Sequence, residues 1–193
     1  GFCDAADAAQ AVAASGRPLR FGVPFAHSMH ALLLGDWLKG LPEGLADLRT
    51  VAPPLMPEAL AEGELDAFCV GEPWGSQAVV TARARLLLPG TAIHPASPEK
   101  VLALRAGWSE AEADLTGRLV RALSRAGEWL ALPGNATTAA EVVTRPGRVD
   151  VAAERVERSL LGRIVTDDRG TEHVVARFQT FGPSRLMRPT PDQ

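Results

Sequence analysis

The sequence predicts an α/β fold in two parts: a parallel-sheet unit over residues 17–105, preceded by an N-terminal helix within 1–16, and a helical segment over 106–180. Three observations carry this reading. Strand and helix patterns alternate through five elements between Leu19 and Val70, which is the signature of parallel β-α-β units with right-handed crossovers. After Arg105 the strand patterns give way to helical periodicity. The chain has 193 residues, 46% hydrophobic and 22% charged, which is long enough and apolar enough to bury a core and far from the composition of a disordered chain.

The elements follow in order. Asp4 to Ser15 is Ala-rich, starts at a capping Asp and stops at Gly16, so it predicts a helix. Pro18 leads into a short strand, Leu19 to Val23. Ser28 to Lys39 places Met29, Leu32, Leu33 and Trp37 at helical spacing and stops at Gly40, an amphipathic helix. Leu48 to Val51 is a strand candidate. Pro53-Pro54 fixes the entry to a short helix, Leu55 to Glu62, closed by Gly63. Asp66 to Val70 is an apolar strand, and Arg85 to Leu88 and Val101 to Arg105 are two further strand candidates. Ser109-Glu-Ala-Glu112 reads as a capping box ahead of a long helix with Leu115, Leu119, Ala122, Ala126, Trp129 and Leu130 on one stripe, ending near Pro133-Gly134. Helices are expected over Thr137 to Thr144 and Asp150 to Leu161. The polar turn 166–170 precedes a final strand, Glu172 to Phe178, and residues 181–193, rich in Pro, read as a disordered tail. There is no internal repeat and no low-complexity tract.

Several function classes are excluded. No apolar run approaches the roughly 18 residues of a membrane span. A net charge of −3 lacks the basic footprint of a nucleic-acid binder. Cys3 and Cys69 form no metal-like cluster, which removes a disulfide scaffold and a zinc ribbon; a buried, unbridged Cys69 is favoured over a Cys3–Cys69 bridge. The start, Gly-Phe-Cys-Asp-Ala-Ala, shows no basic n-region, apolar h-region or Met, so no signal peptide is visible and the end reads as a mature or fragment end. There is no phosphate-binding glycine loop, dinucleotide fingerprint, nucleophile elbow or His-Glu-x-x-His. The sequon Asn135-Ala-Thr137 is expected to be silent, and Glu110 and Asp114 to be solvated charge. Of 20 basic residues only Lys39 and Lys100 are lysine, an Arg bias that suggests a GC-rich genome and draws attention to each retained lysine.

The chemistry concentrates at two strand ends. His27 and His30 bracket the start of the Ser28 helix, directly after a strand, and ligands of open α/β sheets bind at the carboxyl ends of strands. The amides of the first helical turn and the positive end of the dipole make such a start an anion site, to which an imidazole adds a directed donor. The alternative is that His30 only caps or packs against the helix. His94 and His173 read as loop and surface residues. At the second strand end, Ala67–Val70 runs into Gly71-Glu72-Pro73-Trp74, a carboxylate, a rigid Pro and a large aromatic together. Beside an anion, Glu72 is expected to orient a donor or hold a cation, and Trp74 to serve as a wall or interface residue.

The string Phe68-Cys-Val-Gly-Glu-Pro-Trp74, within Val51 to Trp74, resembles the nitrate/bicarbonate-binding family of ABC-transporter substrate-binding proteins, a family that includes cytoplasmic nitrate/nitrite sensors. Pro18 to His30 with Trp37, Ser97-Pro-Glu-Lys-Val101 and Arg105-Ala-Gly-Trp108 extend the resemblance across Pro18–Trp108, with a weaker continuation beyond. The resemblance implies a type II periplasmic-binding-protein fold, two α/β lobes closing on a small ligand, of which this chain holds one lobe and a helical return segment and looks truncated at both ends. It also implies an oxyanion, nitrate or nitrite before bicarbonate, held by His30 and Lys100; the residues at the two strand ends, Ser28, Glu72 and Trp74, are read as lying around it. The bland alternative for Lys100 is a solvated loop lysine. His27 stands where small residues are usual in the family, and its role stays open.

No cofactor and no metal is implied. The partners implied are the anion and either a transporter permease or a cytoplasmic regulatory protein, with self-association or a second chain supplying the missing lobe, and no nucleic acid. The compartment follows the branch: periplasmic or membrane-associated for transport, cytoplasmic for sensing. The same fold hosts pyrimidine-synthesising enzymes with a cysteine-rich iron motif, which two isolated cysteines contradict, and no nucleophile–base pair is visible. A ligand-free interaction module on the same fold is the alternative to anion binding.

Overall fold

Strand β1 (Leu19–Val23) lies at the centre of a three-stranded parallel sheet in the computed structural model, which describes residues 2–95, 97 and 100–182. Strand β2 (Ala46–Thr50) pairs along one side, in register from Leu19 opposite Ala46 to Val23 opposite Thr50. Strand β3 (Ala67–Phe68) pairs along the other, with Phe21 opposite Ala67 and Gly22 opposite Phe68. The ladder runs past these bounds, since the Asp66 amide donates to the Arg20 carbonyl and the Cys69 amide to the Gly22 carbonyl, each at 2.9 Å. The expected strand over Asp66–Val70 is therefore present in a shorter form.

Helix α1 (Ala5–Ala13) is capped by Asp4, whose carboxylate accepts from the Asp7 amide at 2.9 Å. It is tied to helix α2 (Met29–Trp37) by the Trp37 indole N–H, which donates to the Ala5 carbonyl at 2.8 Å. Val12, Phe21, Val23, Ala31 and Leu34 form the core between these helices and the sheet, and Phe21 meets the edge of Trp37 with ring centroids 6.5 Å apart. The stripe expected on α2 is displaced. Ala31, Leu33 and Leu34 face inward, while Leu32 is 61% exposed. The helix is apolar nearly all round, so spacing could not single out the buried face.

A 3-10 turn (Pro53–Leu55) runs into helix α3 (Met56–Ala61), closed by Gly63 with φ +73. Met56, Ala59 and Leu65 make a second core cluster on the opposite flank. Helix α4 (Trp74–Thr81) packs on α3 and buries Ala78 and Val79. Two expected strands are absent. Arg85–Leu88 is extended without a ladder partner, although the Leu86 amide donates to the Thr166 carbonyl at 2.9 Å, and Val101–Arg105 is coil, with Val101 73% exposed. Pro98 and Glu99, part of the expected Pro-Glu-Lys segment, lie outside the described residues, as do residues 183–193 of the expected tail.

The return segment holds helices α5 (Trp108–Ala111), α6 (Ala113–Leu130), α7 (Ala136–Val143) and α8 (Ala153–Leu160), then an antiparallel pair, β4 (Arg163–Val165) and β5 (Glu172–Val174). The capping box does not form: the chain breaks at Glu112 (φ −117, ψ 47), which starts α6 without a side-chain cap bond. Asn135 instead closes the helix end, its side-chain amide donating to the Trp129 carbonyl at 2.8 Å. Leu115 and Trp129 on the α6 stripe remain exposed, as does Leu123 beside it, and only Gly127 of that helix is buried. Phe2 stacks on His173 of β5 with centroids 4.8 Å apart, so this histidine is half-buried rather than a plain surface residue. No helix among the described residues is long and apolar enough to cross a membrane.

Candidate functional site

Parallel pairing decides where the chemistry collects. Strands β1 and β3 are hydrogen-bonded neighbours running the same way, so both release the chain at the same sheet edge. From β1 the chain passes through Pro24 to His27 and enters α2; from β3 it passes through Gly71 to Pro73 and enters α4. Ser28 and His30 are thus brought to the edge that also receives Glu72 and Trp74.

Ser28 is the N-cap of α2 and is buried. Its Oγ accepts from the Ala31 amide at 3.2 Å, and its carbonyl accepts from the Ala31 and Leu32 amides at 3.0 and 3.2 Å. The hydroxyl therefore organises the first turn and keeps its own proton as a donor. His30 is half-buried as the second residue of that turn, and His27 in the preceding loop is exposed. The first-turn amides of α2 point toward this sheet edge, where the positive end of the helix dipole lies.

Trp74 is half-buried at the first position of α4. Glu72, two residues earlier, is turned inward: its Oε2 accepts from the Ser76 amide at 3.2 Å and lies 3.4 Å from the Ser159 hydroxyl of α8. Burial pushes this carboxyl above the ordinary carboxylate range, and hydrogen bonds donated by Ser76 and Ser159 counter the shift only in part. No side-chain cation pairs with it among the described residues.

Lys100 is exposed in the coil that follows a 3-10 turn (Gly90–Ala92). That turn rests on α2, since a Cβ at Gly90 would stand 3.4 Å from Leu33 Cδ1. Cys69 is half-buried against the core and is not bonded to the exposed Cys3. Among the described residues no group of His, Cys, Asp and Glu could hold a metal ion.

Two features escaped the sequence. Gln77, one turn along α4 from Trp74, has a buried Oε1 without a hydrogen-bond partner among the described residues. A lone Gln in a helix carries no signal before its burial is known. A shallow hollow of about 160 Å³ lies between Arg83 and Arg85 on one side and Asp167, Asp168 and Arg169 on the other. The Arg83-Ala-Arg85 alternation hinted at a shared face, but not at the turn that meets it. Neither this hollow nor the one of about 220 Å³ at Leu130, Ala136 and Phe181 includes His30 or Lys100.

The signature of the NMT1-like family matches residues 2–144. The nitrate/nitrite binding protein NrtA of Synechococcus elongatus is 30% identical over 154 residues, covering 78% of this chain and 35% of that protein. The nitrate import ATP-binding protein NrtC of the same organism is 33% identical over 189 residues, covering 96% of this chain and 28% of that protein. The crystal structure of the periplasmic nitrate-binding protein NrtA from Synechocystis PCC 6803 superposes with a TM-score of 0.79 at 20% identity, over 93% of this chain and 47% of that one. This last likeness shows the fold, that of periplasmic binding proteins with a parallel-sheet lobe. The chain spans about a third of the curated relatives' length and about half of the solved one.

Proposed function

The chain belongs to the NMT1-like family, and from that premise we propose that it binds a small oxyanion, nitrate or nitrite, as the substrate-binding part of an ABC-type transport system, without chemistry of its own. One observation carries the reading: the parallel pairing of β1 with β3 delivers the start of α2, with Ser28 and His30, and the start of α4, with Trp74, to one sheet edge. A planar oxyanion takes in-plane hydrogen bonds, and donors with positive character are the strong ones. The first-turn amides of α2, the Ser28 hydroxyl and the His30 imidazole supply such donors, Lys100 supplies a point charge, and Trp74 supplies an apolar wall. The NrtA relative, whose name states that it binds nitrate and nitrite, supports this ligand class.

Replacing His30 with Ala removes one hydrogen bond to a charged group, about 1.5–3 kcal/mol. That is roughly a ten- to hundredfold loss in nitrate affinity. Isothermal titration calorimetry with sodium nitrate reads it directly. Unchanged affinity in a folded His30→Ala variant removes His30 from the site.

A second reading draws on the NrtC relative, matched over 96% of this chain. This chain has no glycine loop for phosphates, so what it shares with that ATP-binding protein lies outside a Walker-type nucleotide loop. In this reading the same lobe is carried by a transporter subunit and senses the anion there. A transport assay on the assembled system, with and without the His30→Ala change, separates delivery from sensing: delivery loses uptake, whereas sensing loses only its response to the anion. The cytoplasmic nitrate/nitrite sensor of the same family is the corresponding soluble alternative.

A further inference from the structure

We propose that the hollow between the end of α4 and the β4–β5 turn is an anion site for a phosphate group, either free or at the end of a larger molecule. The hollow is lined by Arg83, Ala84 and Arg85 from the chain leaving α4, and by Asp167, Asp168 and Arg169 from the turn. Three arginines thus line one space, and none of them is ion-paired with a carboxylate among the described residues. A guanidinium presents a planar fork of donors that matches two oxygens of a phosphate, which makes arginine the residue suited to that group. The volume of about 160 Å³ lies well below the roughly 300–1,000 Å³ of pockets that enclose drug-sized molecules, so the space fits a single oxyanion group.

Three features distinguish this hollow from a chance meeting of surface charges. Arg83 has φ +50, in the left-handed region where a side chain costs free energy and glycine does not. Its reversal ends α4, with the Ala82 and Ala84 amides both donating to the Ala78 carbonyl, at 2.9 and 3.1 Å. Glycine would make the same turn without strain, so the arginine adds a guanidinium at a conformational cost. Asp167, next, is committed to its own turn: its carboxylate accepts from the Arg169 amide at 3.1 Å, the Thr171 amide at 3.1 Å and the Thr171 hydroxyl at 2.8 Å. That leaves the exposed Asp168 as the carboxylate that opposes an anion there. Finally, the two walls are fixed to each other. The Leu86 amide donates to the Thr166 carbonyl at 2.9 Å, and Thr166, 3% exposed, donates its own amide to the Thr171 carbonyl at 2.9 Å. The hollow is therefore formed before a ligand arrives, which lowers the cost of binding. A phosphate held from both walls would tie the end of α4 to the hairpin. The site shares no residue with the edge that carries Ser28, His30 and Trp74, so it stands independently of the proposed function.

Amide NMR of the 193-residue chain, titrated with sodium phosphate at neutral pH and constant ionic strength, reads the site. Saturable shifts are expected at residues 83–85 and 167–170, whereas sodium nitrate, a monoanion, should move these amides far less. Glycerol 3-phosphate separates the two sources: binding equal to that of phosphate means that the open side admits the end of a larger molecule, and much weaker binding means that free phosphate is the ligand. Arg83→Gly decides whether this arginine serves the ligand or the helix end, because glycine suits the left-handed conformation. It is expected to keep or raise the melting temperature while weakening phosphate roughly tenfold or more, the loss of one hydrogen bond to a charged group. Arg85→Gln, which leaves the turn at Arg83 untouched, should weaken phosphate likewise, and Asp168→Asn should strengthen it. No saturable shift with phosphate, equal shifts with nitrate, unchanged phosphate affinity in Arg83→Gly and Arg85→Gln, or weaker binding in Asp168→Asn overturns the proposal.

Discussion

Gly22 is the position at which the sheet and the candidate site are most directly coupled, and Gly22→Ala is predicted to weaken both. Gly22 lies in the central strand opposite Phe68 of β3. A Cβ there would stand 2.6 Å from Leu65 Cδ1 and 3.1 Å from Phe68 Cβ. Carbon atoms pack best at about 3.5–4.0 Å, so the first contact is roughly 1 Å too close. The Leu65 methyl is the end of a side chain and can turn, but Leu65 is 3% exposed and has little room to turn into. Phe68 Cβ is fixed to the backbone of β3 and yields only if the strand yields. Overpacking of this kind costs about 1–3 kcal/mol. Because β3 leads into Glu72 and Trp74, a displaced β3 also moves the start of α4 relative to that of α2. Urea unfolding followed by circular dichroism is expected to show a lower midpoint with an unchanged slope. Leu65→Ala in the same chain makes space for the methyl and should recover part of the loss, whereas Leu65→Ala alone destabilises. A Gly22→Ala chain within about 0.5 kcal/mol of wild type, the range of an ordinary surface substitution, refutes the reasoning.

Two further outcomes follow from polar ties. The Asp66 carboxylate accepts from the Arg20 amide at 2.8 Å and from the guanidinium groups of Arg17 and Arg20, the closest at 2.6 Å, which hold it far below the usual carboxylate range. A depressed pKa contributes stability above the unfolded value and loses it as pH falls, so Asp66→Asn should lower the melting temperature at neutral pH, with the gap closing below about pH 4; since Arg17 is 57% exposed the effect is also screened by salt, and a gap that persists unchanged in acid would contradict the assignment. Trp37→Phe removes the indole donor to the Ala5 carbonyl, and about 1 kcal/mol of stability with it, so limited proteolysis should cut within Ala5–Ala13 sooner; equal cutting rates would mean that α1 is held by Val12 and its neighbours alone.

The half of the chain that forms the sheet was legible because its signals are local and redundant. Asp4 and Ser28 cap where capping residues are expected, Gly63 takes a left-handed φ where the helix has to stop, and the β-α-β alternation needs a parallel sheet. What failed was everything decided by a distant partner. Arg85–Leu88 and Val101–Arg105 have strand-like composition, but a strand exists only if another strand presents its backbone, and the first stretch makes only isolated bonds, to the Thr166 carbonyl and from the Cys3 amide, while the second stays exposed. The Ser109–Glu112 box matches in spacing, yet the backbone turns at Glu112 and α6 begins after it. The partners of Glu72, Ser76 in the next turn and Ser159 far along the chain, are likewise not visible in the sequence.

That last difference changes how the candidate site divides its labour. Ser28, His30 and Trp74 sit at the two helix starts and can face a ligand, whereas Glu72 faces away from them into the junction with α8. The motif around Glu72 is therefore not a set of ligands in a row but a strand end with two jobs, one side chain anchoring α4 from within and one presented at the edge. An oxyanion held by first-turn donors needs α2 and α4 fixed relative to each other to a fraction of an ångström, because hydrogen bonds weaken steeply with distance and angle. The core beneath α2 and the Met56–Leu65 cluster beneath α3 supply that rigidity from the sheet side. The Glu72–Ser159 contact supplies it from the return segment. It follows that substitutions at Ser159, far along the chain from His30, should disturb ligand affinity through geometry, without touching the ligand and without changing the charge presented to it.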